Sequence, residues 1–356
     1  MKYALIGCGR ISHKHIGAAL NNGLEIVALC DIVPEKAERQ IRDFGLNDVK
    51  IYTDYKDMLK TEKPQLVAVA TESGKHASIA LDCIEAGCNV IIEKPIALSL
   101  EDADRIINAG KRKGVRVCVN HQKRFNKAVR CMHKAIEDGR FGKLFHGNAS
   151  TLWSRDGDYY GEATWRGTWA QDGGALMNQC IHNIDLLIWM MGGEPTEVFA
   201  FTDRLNHPYI EAEDLGVALI KFKNGSYGII EGTTNIPEDN LEETLSVFGE
   251  NGVAKLGGSS DNTIEEWRFT DGIDDADKVK KIYSDDLSNV YGLGHTPLYT
   301  DVIEAIENGR EPSVTAEDGK KALETVLAIY KSSKEHKPVM LPLCDCSSVD
   351  FAGMFD

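Results

Sequence analysis

A doubly wound α/β domain followed by an α+β domain is the fold class that the sequence predicts, and three observations predict it. Residues 1 to 119 alternate short apolar runs with segments of helical period. The runs are apolar at nearly every position, as strands covered by helices on both faces are. Beyond about residue 120 the pattern changes to longer stretches with alternation or aromatic content, divided by Asn-Gly turn signals.

The first five runs are Tyr3-Ala-Leu-Ile6, Ile26-Val-Ala-Leu29, Leu66-Val-Ala-Val-Ala70, Asn89-Val-Ile-Ile92 and Val115-Arg-Val-Cys-Val119. Segments such as His76 to Ala86 and Leu100 to Lys113 supply crossover helices, which makes the sheet parallel. In the second half, Val198 to Phe201, Leu215 to Phe222, Tyr227 to Ile230 and Leu245 to Phe248 read as a meander in a large open, mainly antiparallel sheet. Helical patterns flank it at Gly174 to Met191, Pro297 to Asn308 and Thr315 to Ser332. The expected domains are therefore 1–119, 120–343 and a tail, 344–356, without clear period.

Composition narrows the function. The 356 residues include 40 Lys and Arg against 55 Asp and Glu, a net charge of −15, with 42% hydrophobic and 27% charged residues. Such a chain buries a core and is not disordered. Acidic balance without basic runs argues against nucleic acid, whose binding draws on clustered positive charge. No stretch approaches the roughly 20 apolar residues of a membrane span. The start, Met-Lys-Tyr-Ala-Leu-Ile-Gly-Cys-Gly, is too short and glycine-bearing for a signal peptide, so a cytoplasmic protein is expected. The nine scattered cysteines read as free thiols, and Cys344 and Cys346 lack zinc spacing, so no metal is expected.

The first run leads into Gly7-Cys-Gly9-Arg10-Ile11-Ser12 and a helical pattern through Leu20. This is a Rossmann dinucleotide turn with Ser12 in the third small-residue position: the first glycine permits the turn and the second lets a pyrophosphate approach the backbone. The second run ends in Asp31, 24 residues after Gly7, where ribose hydroxyls lie. A carboxylate there repels a 2′-phosphate, so NAD is expected rather than NADP. Further cofactor contacts are expected at Arg10, Ile11, Thr71, His76, Glu93, Lys94 and Gln122.

Glu93-Lys94-Pro95 stands at the C-terminal end of the Val90 to Ile92 run, the edge that faces the ligand crevice in open α/β sheets. A lysine there can polarise a hydroxyl or carbonyl oxygen and share its proton. On the helix predicted around Asn178, the residues Asn178, His182, Asp185 and Trp189 fall on one stripe. Asn178 and Asp185 are then in reach to fix the tautomer of His182, as an acid–base histidine needs.

Gly7-x-Gly9, Glu93-Lys94-Pro95 and the His182-x-x-Asp185 helix, in this order, resemble the glucose-fructose oxidoreductase/inositol dehydrogenase (Gfo/Idh/MocA) family over nearly the whole chain. The resemblance implies an N-terminal Rossmann domain, a second domain whose open sheet serves dimers or tetramers, and hydride transfer at a sugar carbon. It carries catalysis to Lys94 and His182. Many members have aspartate where this chain has Asn178. Asn120 to Asn126, Trp165 to Trp169 and Met177 to Leu187 are further similar to the bacterial UDP-N-acetylglucosaminuronate 3-dehydrogenases of surface-polysaccharide assembly.

A substrate with a pyrophosphate and a carboxylate requires local cations from an acidic chain. Lys123, Arg124, Arg155 and Arg166 are candidates, with Trp165 and Trp169 flanking Arg166. Oxidation of the C3 hydroxyl of a UDP-linked N-acetylglucosaminuronic acid is thus the expected activity, with Lys94, Arg124, Arg155, Trp165, Arg166, Asn178 and His182 around the sugar. The alternatives are an inositol or free-sugar dehydrogenase and a catalytically silent NAD-binding regulator.

Overall fold

The computed structural model describes residues 1–285 and 291–356, which divide into two compact units. The first comprises Met1–His121 and His295–Lys320, the second Gln122–Gly294 and Lys321–Asp356.

The first unit is built on six strands, β1 (Lys2–Ile6), β2 (Glu25–Cys30), β3 (Lys50–Tyr52), β4 (Leu66–Val69), β5 (Asn89–Ile92) and β6 (Val117–Val119). Every pair is parallel, in the order β3-β2-β1-β4-β5-β6. The helices between them are α1 (Ser12–Asn21), α2 (Pro34–Phe44), α3 (Tyr55–Glu62), α4 (His76–Glu85) and α5 (Leu100–Lys113). Tyr3 to Ile6, Leu66 to Val69 and Val90 to Ile92 are buried throughout, which explains why these strands read as continuous apolar runs. Pairing of Ile6 with Cys30 and Val69, and of Val69 with Ile92, brings the ends of β1, β2, β4 and β5 into one row. Gly7, Asp31, Ala70 and Glu93 follow directly on that edge.

The segment His295–Lys320 groups with this unit, although the sequence reading assigned it to the second domain. The physical reason lies in the buried face of the helix His295–Asn308, formed by Leu298, Tyr299, Val302 and Ala305. Tyr299 hydrogen-bonds to both the Tyr3 hydroxyl (2.9 Å) and His15 Nδ1 (2.7 Å). Its ring also meets Tyr3 edge-on.

The second unit carries an eight-stranded sheet of β7 (Leu144–Leu152), β8 (Pro195–Asp203), β9 (Leu215–Phe222), β10 (Tyr227–Thr233), β11 (Glu242–Gly249), β12 (Gly252–Gly257), β13 (Thr263–Phe269) and β14 (Val339–Met340). Their order is β13-β12-β11-β7-β10-β9-β8-β14. All pairs are antiparallel except β7 with β10. β7 is thus inserted in the middle of the expected meander. Helices α6 (Lys127–Glu137), α7 (Gly157–Gly161), α8 (Ile181–Met190) and α9 (Ala276–Tyr283) belong to this unit. α8 packs on one face of the sheet, where Gly147 on β7 and Gly228 on β10 leave room: a Cβ on Gly147 would stand 2.7 Å from Leu187 Cδ1. The tail also groups here. Ser348 donates to the Trp169 carbonyl (2.6 Å), and Phe351 packs on Trp169 and Tyr330.

All nine cysteines are free. Among the described residues no helix is long and apolar enough to cross a membrane.

Candidate functional site

In the first unit, Gly7 adopts φ +95°, and a Cβ there would stand 2.4 Å from the Ala70 carbonyl oxygen, so the turn requires glycine. Gly9 differs. A Cβ on it would meet nothing within 4 Å, so the protein itself does not fill the space above this residue. α1 begins beside it without a side-chain cap, its N-terminal position occupied by Ile11. An open approach to an uncapped helix N-terminus is what an anionic pyrophosphate needs. Arg10 is exposed next to it.

Asp31 holds the turn and the end of β2 together. Its Oδ2 accepts from the Cys8 backbone N–H (2.8 Å) and its Oδ1 from that of Val33 (2.9 Å). Each oxygen keeps a second lone pair for a hydroxyl, and the neighbouring Ile32 is exposed and uncharged.

At the end of β5, buried Glu93 is the centre of a network. Its Oε1 accepts from His15 Nε2 (2.9 Å) and from Asn120 Nδ2, and its Oε2 from the Lys94 backbone N–H (3.3 Å). Burial raises the Glu93 pKa, but the His15 hydrogen bond, with the Lys94 ammonium beyond it, brings it down to about 2, so the carboxylate is ionised. Glu93 then fixes the His15 proton on Nε2, with Nδ1 bonded to Tyr299. Burial and the nearby His15 bring His295 to about 3, which keeps it neutral, with Nε2 3.2 Å from Asn120 Nδ2. His15, Glu93 and His295 offer ligand-type atoms within 4.8 Å of one another. Of these, His15 Nε2 and Glu93 Oε1 bond to each other and His295 Nε2 faces Asn120, while His295 Nδ1 has no hydrogen-bond partner among the described residues.

Half-buried Lys94 follows directly and precedes a cis peptide to Pro95. His76, expected to touch the cofactor, directs Nδ1 to the Pro95 carbonyl (2.7 Å) and Nε2 to that of Thr71 (3.1 Å). It ties the loop after β4 to the corner that carries Lys94, and burial lowers its pKa.

The second unit carries the other expected residues. Leu176–Cys180 is a turn of π-helix that leads into α8. Asn178 and His182 therefore do not lie on one regular helix, as their spacing had suggested; the wider π turn changes the register between them. His182 is 8% exposed. Asp185, expected to orient it, receives Arg124 Nε (2.7 Å) and Nη2 (2.6 Å) in a buried two-pronged ion pair. Arg124 was expected to meet the substrate. Its charge is balanced here, because a buried guanidinium requires a counter-ion, and it lies over Trp189. Lys123 is likewise buried between Glu243 and Asp261 (3.1 Å), with Asn183 at 3.4 Å. Trp169 is core rather than a site flank, with its ring against Tyr330 and Phe351.

Arg155 and Arg166 differ from these. The Arg155 guanidinium carbon lies 4.6 Å from the Trp153 ring centre and 5.0 Å from that of Tyr159. That of Arg166 lies 4.1 Å from the Tyr159 centre and 4.7 Å from that of Trp165. Two cations share one aromatic ring, and each has a buried Nε–H with no acceptor among the described residues. Glu162 lies 3.6 Å from Arg166 as its carboxylate partner. Such a pair is suited to an anion. Gln122, buried in the turn of 3₁₀ helix Gln122–Phe125, has an amide oxygen with no hydrogen-bond partner among the described residues.

Sequence reading passed over Tyr159, Asp172 and Glu213. Tyr159 accepts from Gln179 Nε2 (2.9 Å). Asp172 accepts from the Gly167 N–H (2.7 Å) and from Asn178 Nδ2. Glu213 accepts from the Leu176 N–H (2.7 Å) and the Tyr330 hydroxyl (2.8 Å), holding the entry to the π turn. Burial pushes the Glu213 carboxyl up to about 8, against the Leu176 and Tyr330 bonds. A Cβ on Gly174 would stand 1.8 Å from Glu213 Oε2, so the Gly173-Gly174 pair was the sequence signal that a side chain approaches here.

A model of an oxidoreductase family with an NAD-binding Rossmann fold, GFO_IDH_MocA, matches residues 1–121, and one of the GFO/IDH/MocA C-terminal domain matches residues 129–255. The crystal structure of the WlbA dehydrogenase from Bordetella pertussis, in complex with NADH and UDP-GlcNAcA, is 36% identical, covers 96% of this chain and 98% of its own, and superposes with a TM-score of 0.89. The corresponding structure from Chromobacterium violaceum is 33% identical over 96% of each chain, with a TM-score of 0.88. Among curated relatives, myo-inositol 2-dehydrogenase of Thermotoga maritima is 25% identical over 96% of this chain and 98% of its own.

Proposed function

Since the chain belongs to the Gfo/Idh/MocA family of NAD-binding oxidoreductases, we propose that it oxidises a secondary hydroxyl, the C3 hydroxyl, of a UDP-linked N-acetylglucosaminuronic acid to the ketone, with NAD as hydride acceptor. The observation that carries this reading is the 36% identity, across 96% of the chain, to a dehydrogenase crystallised with NADH and UDP-GlcNAcA. The inositol dehydrogenase is related at 25%.

The chain's own chemistry supports the same substrate class. Arg155 and Arg166 offer guanidinium groups to a diphosphate or carboxylate in a chain of net charge −15. A free polyol has no anion for them to bind.

In this reading NAD takes the hydride, and Lys94 and His182 are the acid–base positions that accept and hold the hydroxyl proton. Asp31 selects NAD through the ribose hydroxyls, and Asn178 accepts a hydrogen bond from the sugar. Gly7, Gly9, Arg10, Ile11, Thr71 and Gln122 are the remaining cofactor positions. Glu93 acts on Lys94 through its backbone, and His76 does so through Pro95, in place of the direct cofactor contacts expected of them. The outer face of the second sheet exposes Phe201, Val217, Leu219, Tyr227 and Ile229. In the same reading this apolar face makes the chain a homo-oligomer.

Substitution of Arg166 by lysine tests the substrate reading, because an ammonium cannot form two parallel bonds to an oxyanion. A loss of about 1.5 to 3 kcal/mol in kcat/KM is expected for the UDP-uronic acid. If Arg166 meets the carboxylate, the uncharged UDP-hexosamine shows little loss; if it meets the diphosphate, both lose equally. No loss for either sugar, or efficient turnover of myo-inositol by the unmutated protein, favours the polyol reading.

A further inference from the structure

We propose that Asp172 is a positioning residue that fixes two proposed substrate partners at once, Asn178 and Arg166. The inference rests on the roles given to those residues above.

Asp172 is fully buried, and its two oxygens face different segments. Oδ2 accepts from the backbone N–H of Gly167, the residue after Arg166. Oδ1 accepts from Asn178 Nδ2. The segment between is folded tightly on itself: the Asp172 N–H donates to the Thr168 carbonyl (3.0 Å) and the Gly173 N–H to the same oxygen (2.9 Å). Gly167 has φ +69°, and a Cβ on it would stand 2.5 Å from Ile210 Cγ2, so this loop has little freedom to adjust if its carboxylate partner is removed.

The consequence for Asn178 follows from amide geometry. Its nitrogen donates to a carboxylate, which has no proton to give, so the orientation of the amide is determined: nitrogen toward Asp172 and carbonyl oxygen away from it. In the reading above, it is through this oxygen, as an acceptor, that position 178 meets the sugar hydroxyl. Family members with aspartate at this position present an acceptor without such help. Here the neighbouring carboxylate makes the amide behave as one. The same carboxylate explains why asparagine suits this chain, since a carboxylate at 178 would meet Asp172 as a like charge at hydrogen-bond distance.

The test is a reciprocal exchange. Asn178→Asp alone sets carboxylate against carboxylate. Asp172→Asn alone removes the charge that orients the amide. Asp172→Asn combined with Asn178→Asp restores one donor facing one carboxylate, with an acceptor still at 178. Melting temperature without substrate, and kcat and KM for UDP-N-acetylglucosaminuronic acid with saturating NAD, are measured for these three variants, for the unmutated protein and for Asp172→Ala.

The melting temperature should fall in each single variant and recover in the double one. The kcat should fall roughly tenfold or more in Asn178→Asp and return to within about threefold of the starting value in the double variant. Asp172→Ala, which also leaves the buried Gly167 N–H beside Arg166 without its acceptor, should raise KM as well as lower kcat. A double variant no better than Asn178→Asp in either melting or kcat overturns the proposal, as does an Asp172→Ala protein with unchanged kcat and KM. Failure of the unmutated protein to oxidise the UDP-uronic acid counts against the substrate reading instead. The comparison is then made on the sugar that is turned over, and absence of coupling in the melting temperatures overturns the pin whatever the substrate.

Discussion

Gly7 and Gly9 stand two residues apart in one turn, and the structure separates what each is for. In Gly7→Ala the new Cβ would lie 2.4 and 2.5 Å from the oxygen and carbon of Ala70 and 2.8 Å from the Thr71 nitrogen, all main-chain atoms that cannot swing aside. The residue would also keep φ near +95°. Left-handed strain of about 1–2 kcal/mol and overpacking of about 1–3 kcal/mol give a total of roughly 2–5 kcal/mol. At about 2–4 °C per kcal/mol, the melting temperature without cofactor should fall on the order of 4–20 °C. In Gly9→Ala the Cβ meets nothing within 4 Å and φ is ordinary, so the cofactor-free protein should melt within about 1–2 °C of the parent. Its cost should appear on binding. A methyl where a pyrophosphate approaches the backbone should weaken NAD by about 1–3 kcal/mol, five- to a hundredfold or so. Differential scanning fluorimetry without cofactor and titration of NAD by quenching of protein fluorescence give both quantities. A large loss of intrinsic stability in Gly9→Ala, or unchanged NAD affinity, would refute the assignment of that open space to the cofactor.

Further outcomes follow from the same geometry. NADP should bind more weakly than NAD by on the order of several kcal/mol, because the Asp31 carboxylate, proposed to meet the ribose hydroxyls, would repel a 2′-phosphate; equal affinities in parallel titrations would contradict this. Lys94→Ala and His182→Ala should each lower kcat roughly a hundredfold or more with NAD affinity and melting temperature nearly unchanged, whereas loss of fold would make that residue structural. Glu213, raised to about 8 from 4.5, holds more protons folded than unfolded between those values, so its contribution to stability is full below pH 4.5 and declines as pH rises toward 8. Chemical denaturation at pH 6, 7 and 8 should show a decline of on the order of 1 kcal/mol per unit that Glu213→Gln flattens. A parent protein that gains stability over this range would contradict it.

The cofactor-binding unit was legible because its signals are local. Each strand is a short run, and Gly7, Asp31 and Glu93 each directly follow one, so parallel pairing alone aligns them. The second sheet was less so. β7, Leu-Phe-His-Gly-Asn-Ala-Ser-Thr-Leu, has small and polar residues where α8 packs on it, and that close approach of a helix hides the alternation a strand would show. The same holds for the charged residues. Arg124 and Asp185 are 61 positions apart, and Lys123 and Asp261 138, so nothing in their local sequence says that each cation already has a counter-ion. Arg155 and Arg166 could be told from them only once Tyr159 was seen between the two. The stripe through Asn178 and His182 named residues of interest, but its geometry assumed a regular helix where Leu176–Cys180 forms a π turn.

The central claim is that this NAD-binding oxidoreductase acts on a UDP-linked uronic acid, and one measurement bears on it most directly. The purified protein is incubated with NAD and, separately, with UDP-N-acetylglucosaminuronic acid, UDP-N-acetylglucosamine, myo-inositol and glucose, and NADH is followed by its absorbance, with a single-turnover amount resolved by rapid mixing. NADH should form with the UDP-uronic acid at a kcat/KM well above that for every other compound. NADH formed faster with myo-inositol or glucose, or none with the UDP-uronic acid, would contradict it.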